Sequence, residues 1–164
     1  MTLDFPFQIA VLIMSVVIHE VSHGYAASLL GDQTARYLGR LTLNPVKHLD
    51  FFGSILVPTI SYLLGGFILG WAKPVPYNPL NLRPGRYSEA IVAGAGPLSN
   101  ITVAVVFGLL IRFGVSAGWA SPAFIQIAAV VVFINIILAI FNLVPIPPLD
   151  GSKILFAIFP ESFA

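Results

Sequence analysis

The sequence predicts an all-α integral membrane protein: a polytopic helical bundle with one broken or re-entrant hydrophobic segment and a short β element at the membrane surface. Three observations predict it. Of 164 residues, 57% are hydrophobic and 9% charged, against about 25% charged in a soluble domain. Several apolar runs approach or exceed the roughly 20 residues that a spanning helix requires. Glycine and proline break one of those runs and cut off another, and irregular backbone at membrane depth is tolerated only where protein buries it or it lines a cavity. The runs are close enough together to form one membrane-embedded unit over 1–164, with no separate domain.

The first helix is expected from Phe5 to Leu30, ended by Gly31-Asp32, because glycine is the usual stop at a helix C-terminus. Met1 to Pro6 carries an acid and no Lys or Arg, unlike the basic start of a cleaved signal, so this helix is expected to be retained. Residues 34 to 44 alternate imperfectly between apolar and polar before Asn44-Pro45, which suggests a strand or hairpin. Residues 51 to 71 are long enough to span but contain Gly53, Pro58, Gly65, Gly66 and Gly70, so the segment is expected to be broken. Ala72 to Pro79 holds three prolines and favours extended backbone. A second helix is expected from Ser88 to Phe113; its Ala93-Gly-Ala-Gly-Pro-Leu-Ser-Asn100 start lets a neighbour approach closely. A third runs from Pro122 to Phe141 and meets the proline-rich Asn142 to Gly151, with helix resuming over Ser152 to Phe159. Trp71 and Tyr87 suit interface anchors.

Charge placement tests these assignments. Arg36, Arg40 and Lys47 lie before the broken segment, and Lys73, Arg83 and Arg86 after it. A full crossing would put the two basic loops on opposite sides, against the positive-inside rule. A re-entrant segment puts both on the cytoplasmic side and runs the first and third helices parallel, with His19, His23 and Asp150 toward that side.

The chemistry sits in His19-Glu-Val-Ser-His23, inside an apolar helix. Histidines four apart share a helix face and can ligate one metal, while the glutamate beside the first can take a proton from water activated by that metal. Charged groups at bilayer depth cost roughly 2.5–3.5 kcal/mol on insertion scales, so such a cluster is read as functional rather than as interhelical glue. A catalytic zinc commonly has three protein ligands, and this helix supplies two. His48, Asp50 and Asp32 are weighed as the third. Asp150 is chosen because it is the acid beside an intramembrane break, although a Leu-Asp-Gly turn or helix cap explains it equally well. Asn100 and Asn142 can hold a substrate backbone or an oxyanion, or simply bond to a neighbouring helix; the same applies, less strongly, to Asn135.

His19-Glu-Val-Ser-His23, Ala95-Gly-Pro-Leu-Ser-Asn100 and Asn142-Leu-Val-Pro-Ile-Pro-Pro-Leu-Asp-Gly151 together resemble the site-2 protease family of intramembrane zinc metalloproteases. Gly39 to Pro45 and Gly70 to Pro76 resemble its compact bacterial and archaeal members, which lack soluble domains. The resemblance implies one Zn2+ per chain held by His19, His23 and Asp150, with Glu20 as general base. It implies substrate positioning by Asn142 and gives Asn100 a polar place in the middle motif. Its substrates would be transmembrane segments of other proteins, unwound before cleavage and clamped by edge pairing on the 34–44 strand. Members usually continue through a further hydrophobic segment, so a C-terminally truncated or minimal form is expected.

The expected protein is therefore a zinc-dependent endopeptidase of a prokaryotic cytoplasmic membrane. A metal-ion transporter is the rival from another class, with Glu20 as ligand or relay; a catalytically inactive homologue that binds transmembrane segments is a third reading. A formal charge of +1 gives no basis for nucleic-acid binding. Zero cysteines exclude disulfides and thiolate ligands.

Overall fold

The computed structural model describes residues 5–50, 52–65 and 73–159. Among them the fold is all-helical: α1 (Phe5–Leu29), α2 (Thr34–Tyr37), α3 (Val57–Gly65), α4 (Ser88–Ser116), α5 (Pro122–Asn142) and α6 (Asp150–Ile158). Three helices are long and apolar enough to cross a membrane, over Pro6–Leu29, Ser88–Ser116 and Pro122–Asn142. The shortest has 21 residues, about 32 Å at 1.5 Å per residue, which matches a hydrocarbon core of about 30 Å. The protein is a multi-pass membrane protein. Leu98, Val105, Phe133 and Ile140 on α4 and α5 are exposed, as a lipid-facing surface requires.

Hydrogen bonds fix how the long helices run. Along α1 and α4, His23 meets Val92 while Ser15 meets Asn100, so the two are antiparallel. Asn135 of α5 meets Ser15, and α5 returns parallel to α1 toward the end where Asp150 approaches His19 and His23. Buried positions of α1 recur at Ser15, His19, His23 and Ala27. That four-residue spacing makes one face, and this face meets α4.

Helix α1 stops where glycine allows it. Gly31 has φ +113°, its N–H donates to Ser28, and the Asp32 N–H reaches back to Ala27 at 2.9 Å. This 6→1 closure needs a left-handed residue at the turn. Asp32, fully buried, then gathers the following loops: its carboxylate accepts from the Thr34 hydroxyl at 2.6 Å, the Asn78 N–H at 2.9 Å and the Asn81 amide at 3.0 Å. Burial pushes this carboxyl's pKa up, but these hydrogen bonds outweigh it and hold it below the usual carboxylate range.

The strand expected over 34–44 does not form. Thr34–Tyr37 is a helical turn, closed by Gly39 at φ +62° with the Arg40 N–H bonded to Ala35 at 2.9 Å. The same 6→1 closure that ends α1 consumes the backbone groups an edge strand would offer. The chain then turns irregularly into a short 3-10 helix at Pro45–His48. No strand occurs among the described residues, and substrate clamping by strand pairing at 34–44 is set aside with it.

The segment expected to be broken is short where described. A single wide helical turn at Phe52–Leu56 leads into α3. Together they make 14 helical residues over 52–65, about 21 Å. The Lys73 N–H donates to the His48 carbonyl at 2.8 Å, and Arg40 donates to the carbonyls of Lys73 and Pro74. His48 and Lys73, which flank residues 49–72, therefore meet at one place. The Leu30 carbonyl accepts from the Arg83 N–H at 2.7 Å, which joins the second loop to the same end of α1. Trp71 and the last glycines of the run lie outside the described residues.

Candidate metal centre

Helix α1 presents His19 and His23 one turn apart, and α6 brings Asp150 to both. Asp150 Oδ2 lies 3.1 Å from His19 Nε2 and 3.2 Å from His23 Nε2, and the two Nε2 atoms are 3.0 Å apart. Asp150 is the first residue of α6, following the break after Asn142, and its side chain does not cap that helix. The turn or cap explanation is thereby displaced by convergence on the histidines.

Two backbone features make the convergence possible. A Cβ at Gly96 of α4 would overlap His23 Nε2 and come within 2.6 Å of His19 Nε2, so only glycine lets α4 back onto the two rings. A Cβ at Gly151 would overlap the Leu143 carbonyl, so the first turn of α6 seats directly on the end of α5.

The protonation of the rings follows from their outer partners. Asn135 Nδ2 donates to the Val131 carbonyl at 2.9 Å and to Ser15 Oγ at 2.9 Å, which leaves its Oδ1 to accept from Asn100 Nδ2 at 2.8 Å. Asn100 therefore turns its own Oδ1 to His19 Nδ1 at 2.6 Å, and that nitrogen must carry the proton. His23 Nδ1 likewise donates to the Val92 carbonyl at 2.7 Å. With Nδ1 donating outward, each ring turns its Nε2 toward the other ring and toward the Asp150 carboxylate, where it can offer a lone pair to a metal.

Asp150 Oδ2 is buried without a hydrogen-bond donor and faces both Nε2 atoms, so a cation among the three would satisfy all of them. Bonds of 2.0–2.1 Å at tetrahedral angles would separate zinc ligands by about 3.3 Å, close to the observed triangle. The donor set and its spacing thus fit Zn2+. Among the described residues it is the one group of three or more potential metal ligands whose atoms converge.

Glu20 lies beside this group but outside it. It lines a cavity of about 180 Å3 together with the two histidines, Asp150 and Asn142. Its Oε2 accepts from the Val75 N–H at 2.9 Å, on the extended stretch Lys73–Asn78 that forms another wall.

The remaining sequence candidates separate cleanly. Asn142 is on the cavity wall and donates its amide to the Leu138 carbonyl one turn back. Asn100 is fully buried behind His19, not on that wall, so the substrate contact expected of it gives way to a bond with a ring. Asp32 is a loop staple, Asp50 accepts from the Gly53 N–H, and buried His48 faces the Thr42 carbonyl through Nε2. Sequence reasoning did not single out Ser15, Val92, Val75, Tyr77 or Lys153. Ser15 could have been found four residues before His19 on the same helix face; Val92 and Val75 act through backbone atoms, which leave no side-chain signal.

Helices of this length and polarity place the centre in a membrane, and two imidazoles, a carboxylate and an adjoining glutamate are the equipment of a metallohydrolase. Comparison with known proteins narrows the class. The family model of peptidase family M50 matches residues 7–121 and 115–163. The chain is 41% identical over 160 residues to the "Putative zinc metalloprotease YwhC" of Bacillus subtilis (strain 168), covering 94% of this chain and 70% of that protein. It is 33% identical over 147 residues to the "Putative zinc metalloprotease Rip2" of Mycolicibacterium smegmatis, covering 87% of this chain and 53% of that one. A third relative, the "Putative zinc metalloprotease MJ0611" of Methanocaldococcus jannaschii, is 33% identical over 101 residues, 55% of this chain and 50% of its own. No solved structure matches the chain. The chain belongs to peptidase family M50, the site-2 protease family, and is an intramembrane zinc metalloprotease.

Proposed function

We propose that the chain hydrolyses peptide bonds in transmembrane segments of other proteins, within or next to the bilayer, with one Zn2+ held by His19 Nε2, His23 Nε2 and the Asp150 carboxylate. The observation that carries this reading is the convergence of those three acceptors, each histidine turned by a hydrogen bond at its far nitrogen, beside a glutamate on a cavity wall. Zinc supplies polarisation of the scissile carbonyl and acidification of water. Glu20 takes the proton of the attacking water and returns it to the departing amine nitrogen. The Val75 N–H engages Oε2, which orients the carboxylate and leaves the other oxygen for the water. Asn142 on the same wall positions the substrate backbone, while Asn100 and Asn135 hold His19 in its ligating tautomer. A transporter would use Glu20 as a ligand or relay, and its position outside the converging group disfavours the ligand role.

The meeting of His48 with Lys73 supports a re-entrant 49–72 segment. Both basic loops then face one side, and the positive-inside rule makes it the cytoplasm. Bacterial and archaeal relatives support a prokaryotic cytoplasmic membrane. Along α4, Val92 to Gly96 is four to eight residues from Ser88, so the centre lies about 6–12 Å below the start of α4, next to the second basic loop. The test is cleavage of an apolar transmembrane peptide in detergent, with product termini read by mass spectrometry. Wild type cuts and Glu20→Gln does not; equal cutting by both would overturn the assignment of Glu20.

A further inference from the structure

We propose that Lys153 is a substrate-contacting cation of the active-site cavity, held by Tyr77 so that its ammonium meets a negatively charged oxygen of the bound chain. The inference rests on the protease reading of the same cavity. Lys153 follows Asp150 by three residues on α6, so the two share a helix face, and both line the cavity. Its Nζ is 3.0 Å from the Tyr77 hydroxyl and 5.0 Å from the centre of that ring. Tyr77 belongs to the same extended stretch whose Val75 N–H orients Glu20. The ammonium is therefore held against the wall whose Val75 N–H engages Glu20, instead of reaching away toward the surface as an unanchored lysine does.

The cavity also lacks a carboxylate to spare for it. Among the described residues that line it, Lys153 is the one Lys or Arg, and the acids are Asp150, turned to the histidines, and Glu20, bonded to Val75. No carboxylate pairs with Lys153 among the described residues. A partly buried cation without a counter-charge favours an occupant that brings one. An ammonium has three donors and Tyr77 engages one, so two remain for such an oxygen. The oxygen has two sources in a protease: the oxyanion that develops on the scissile carbonyl, or an Asp or Glu side chain flanking the scissile bond. Neither role transfers an atom to Lys153; it donates hydrogen bonds throughout.

The experiment uses the detergent-solubilised zinc-loaded protein and an internally quenched apolar peptide that wild type cuts, in two forms differing by Asp or Asn beside the mapped cleavage site. Zinc content, kcat and KM are measured for wild type, Lys153→Met and Lys153→Arg. With zinc content retained, a fall in kcat of about 100-fold on both peptides, partly restored in Lys153→Arg, identifies the oxyanion; a rise in KM confined to the Asp peptide identifies the acidic side chain. Kinetics within two-fold of wild type on both peptides would overturn the proposal and leave the protease reading standing, whereas cutting of both peptides by Glu20→Gln as fast as by wild type would overturn that reading and the proposal with it. Where Lys153→Met loses zinc, Tyr77→Phe decides in its place: it keeps the ring and removes the hydroxyl that holds the ammonium, and unchanged kcat and Asp preference would overturn the proposal.

Discussion

His19 Nδ1 donates to Asn100 Oδ1 at 2.6 Å, and Asn100 can accept only because Asn135 and the Ser15 carbonyl take its two amide hydrogens. A chain of amides that begins at the Val131 carbonyl thereby sets the tautomer of a proposed metal ligand. Asn100→Ala is expected to weaken zinc affinity about 10–100-fold, read by competition with a chelator. Asn135→Ala, one bond further away, is expected to have the smaller effect. Equal affinity in wild type and Asn100→Ala would show that packing alone orients His19.

Gly96 carries the second prediction. Its missing side chain is the space occupied by the His19 and His23 Nε2 atoms, so Gly96→Ala should push the rings apart and lose most of the zinc while α4 stays helical. Metal analysis with circular dichroism separates the two effects. Full zinc content in Gly96→Ala would mean that α4 retreats at no cost to the centre.

Membrane arrangement is testable because the chain has no cysteine. Single cysteines replacing exposed Lys47, Arg83 and Ser116 should react with a membrane-impermeant maleimide from one side for the first two and from the opposite side for the third. Labelling of 47 and 83 from opposite sides would contradict a re-entrant 49–72 segment.

Asp32 predicts a pH dependence of stability. Its folded pKa is depressed, so its contribution is present above the ordinary carboxylate pKa of about 3.9 and is lost as pH falls through the lower folded value. Asp32→Asn should cost about 1–3 kcal/mol at pH 7 and flatten the acid limb of thermal stability. Thermal unfolding of chelator-treated protein at pH 7 and below pH 4 keeps metal release out of the comparison. A parallel acid limb in both proteins would remove Asp32 as its cause.

Much of this was legible in the chain because the membrane imposes a coarse rule: runs of about 20 apolar residues become helices, and α1, α4 and α5 lie within a few residues of where those runs placed them. His19, Glu20 and His23 were legible because a spacing of four is a helix property. Asp150 needed more, since nothing local distinguishes a ligand from a turn residue before α6 is folded back onto α1. The 34–44 stretch was misread because four helical residues are too few to show a 3.6-residue period, and Gly39, which closes the turn, also suits a hairpin. Asn100 was placed at the site, with a substrate contact and a bond to a neighbouring helix both left open. Whether an α4 side chain faces the cavity or a ring depends on the register of two antiparallel helices, and Gly96 sets that register.

The central claim is that His19, His23 and Asp150 hold a zinc ion which Glu20 does not touch. Zinc content of the purified detergent-solubilised protein tests it most directly, in wild type, Glu20→Gln, His23→Ala and Asp150→Ala. Near one zinc per chain in the first two and sharp loss in the others is the expected result. Zinc lost in Glu20→Gln but kept in Asp150→Ala would contradict the account and return Glu20 to the ligand shell, as a transporter would have it.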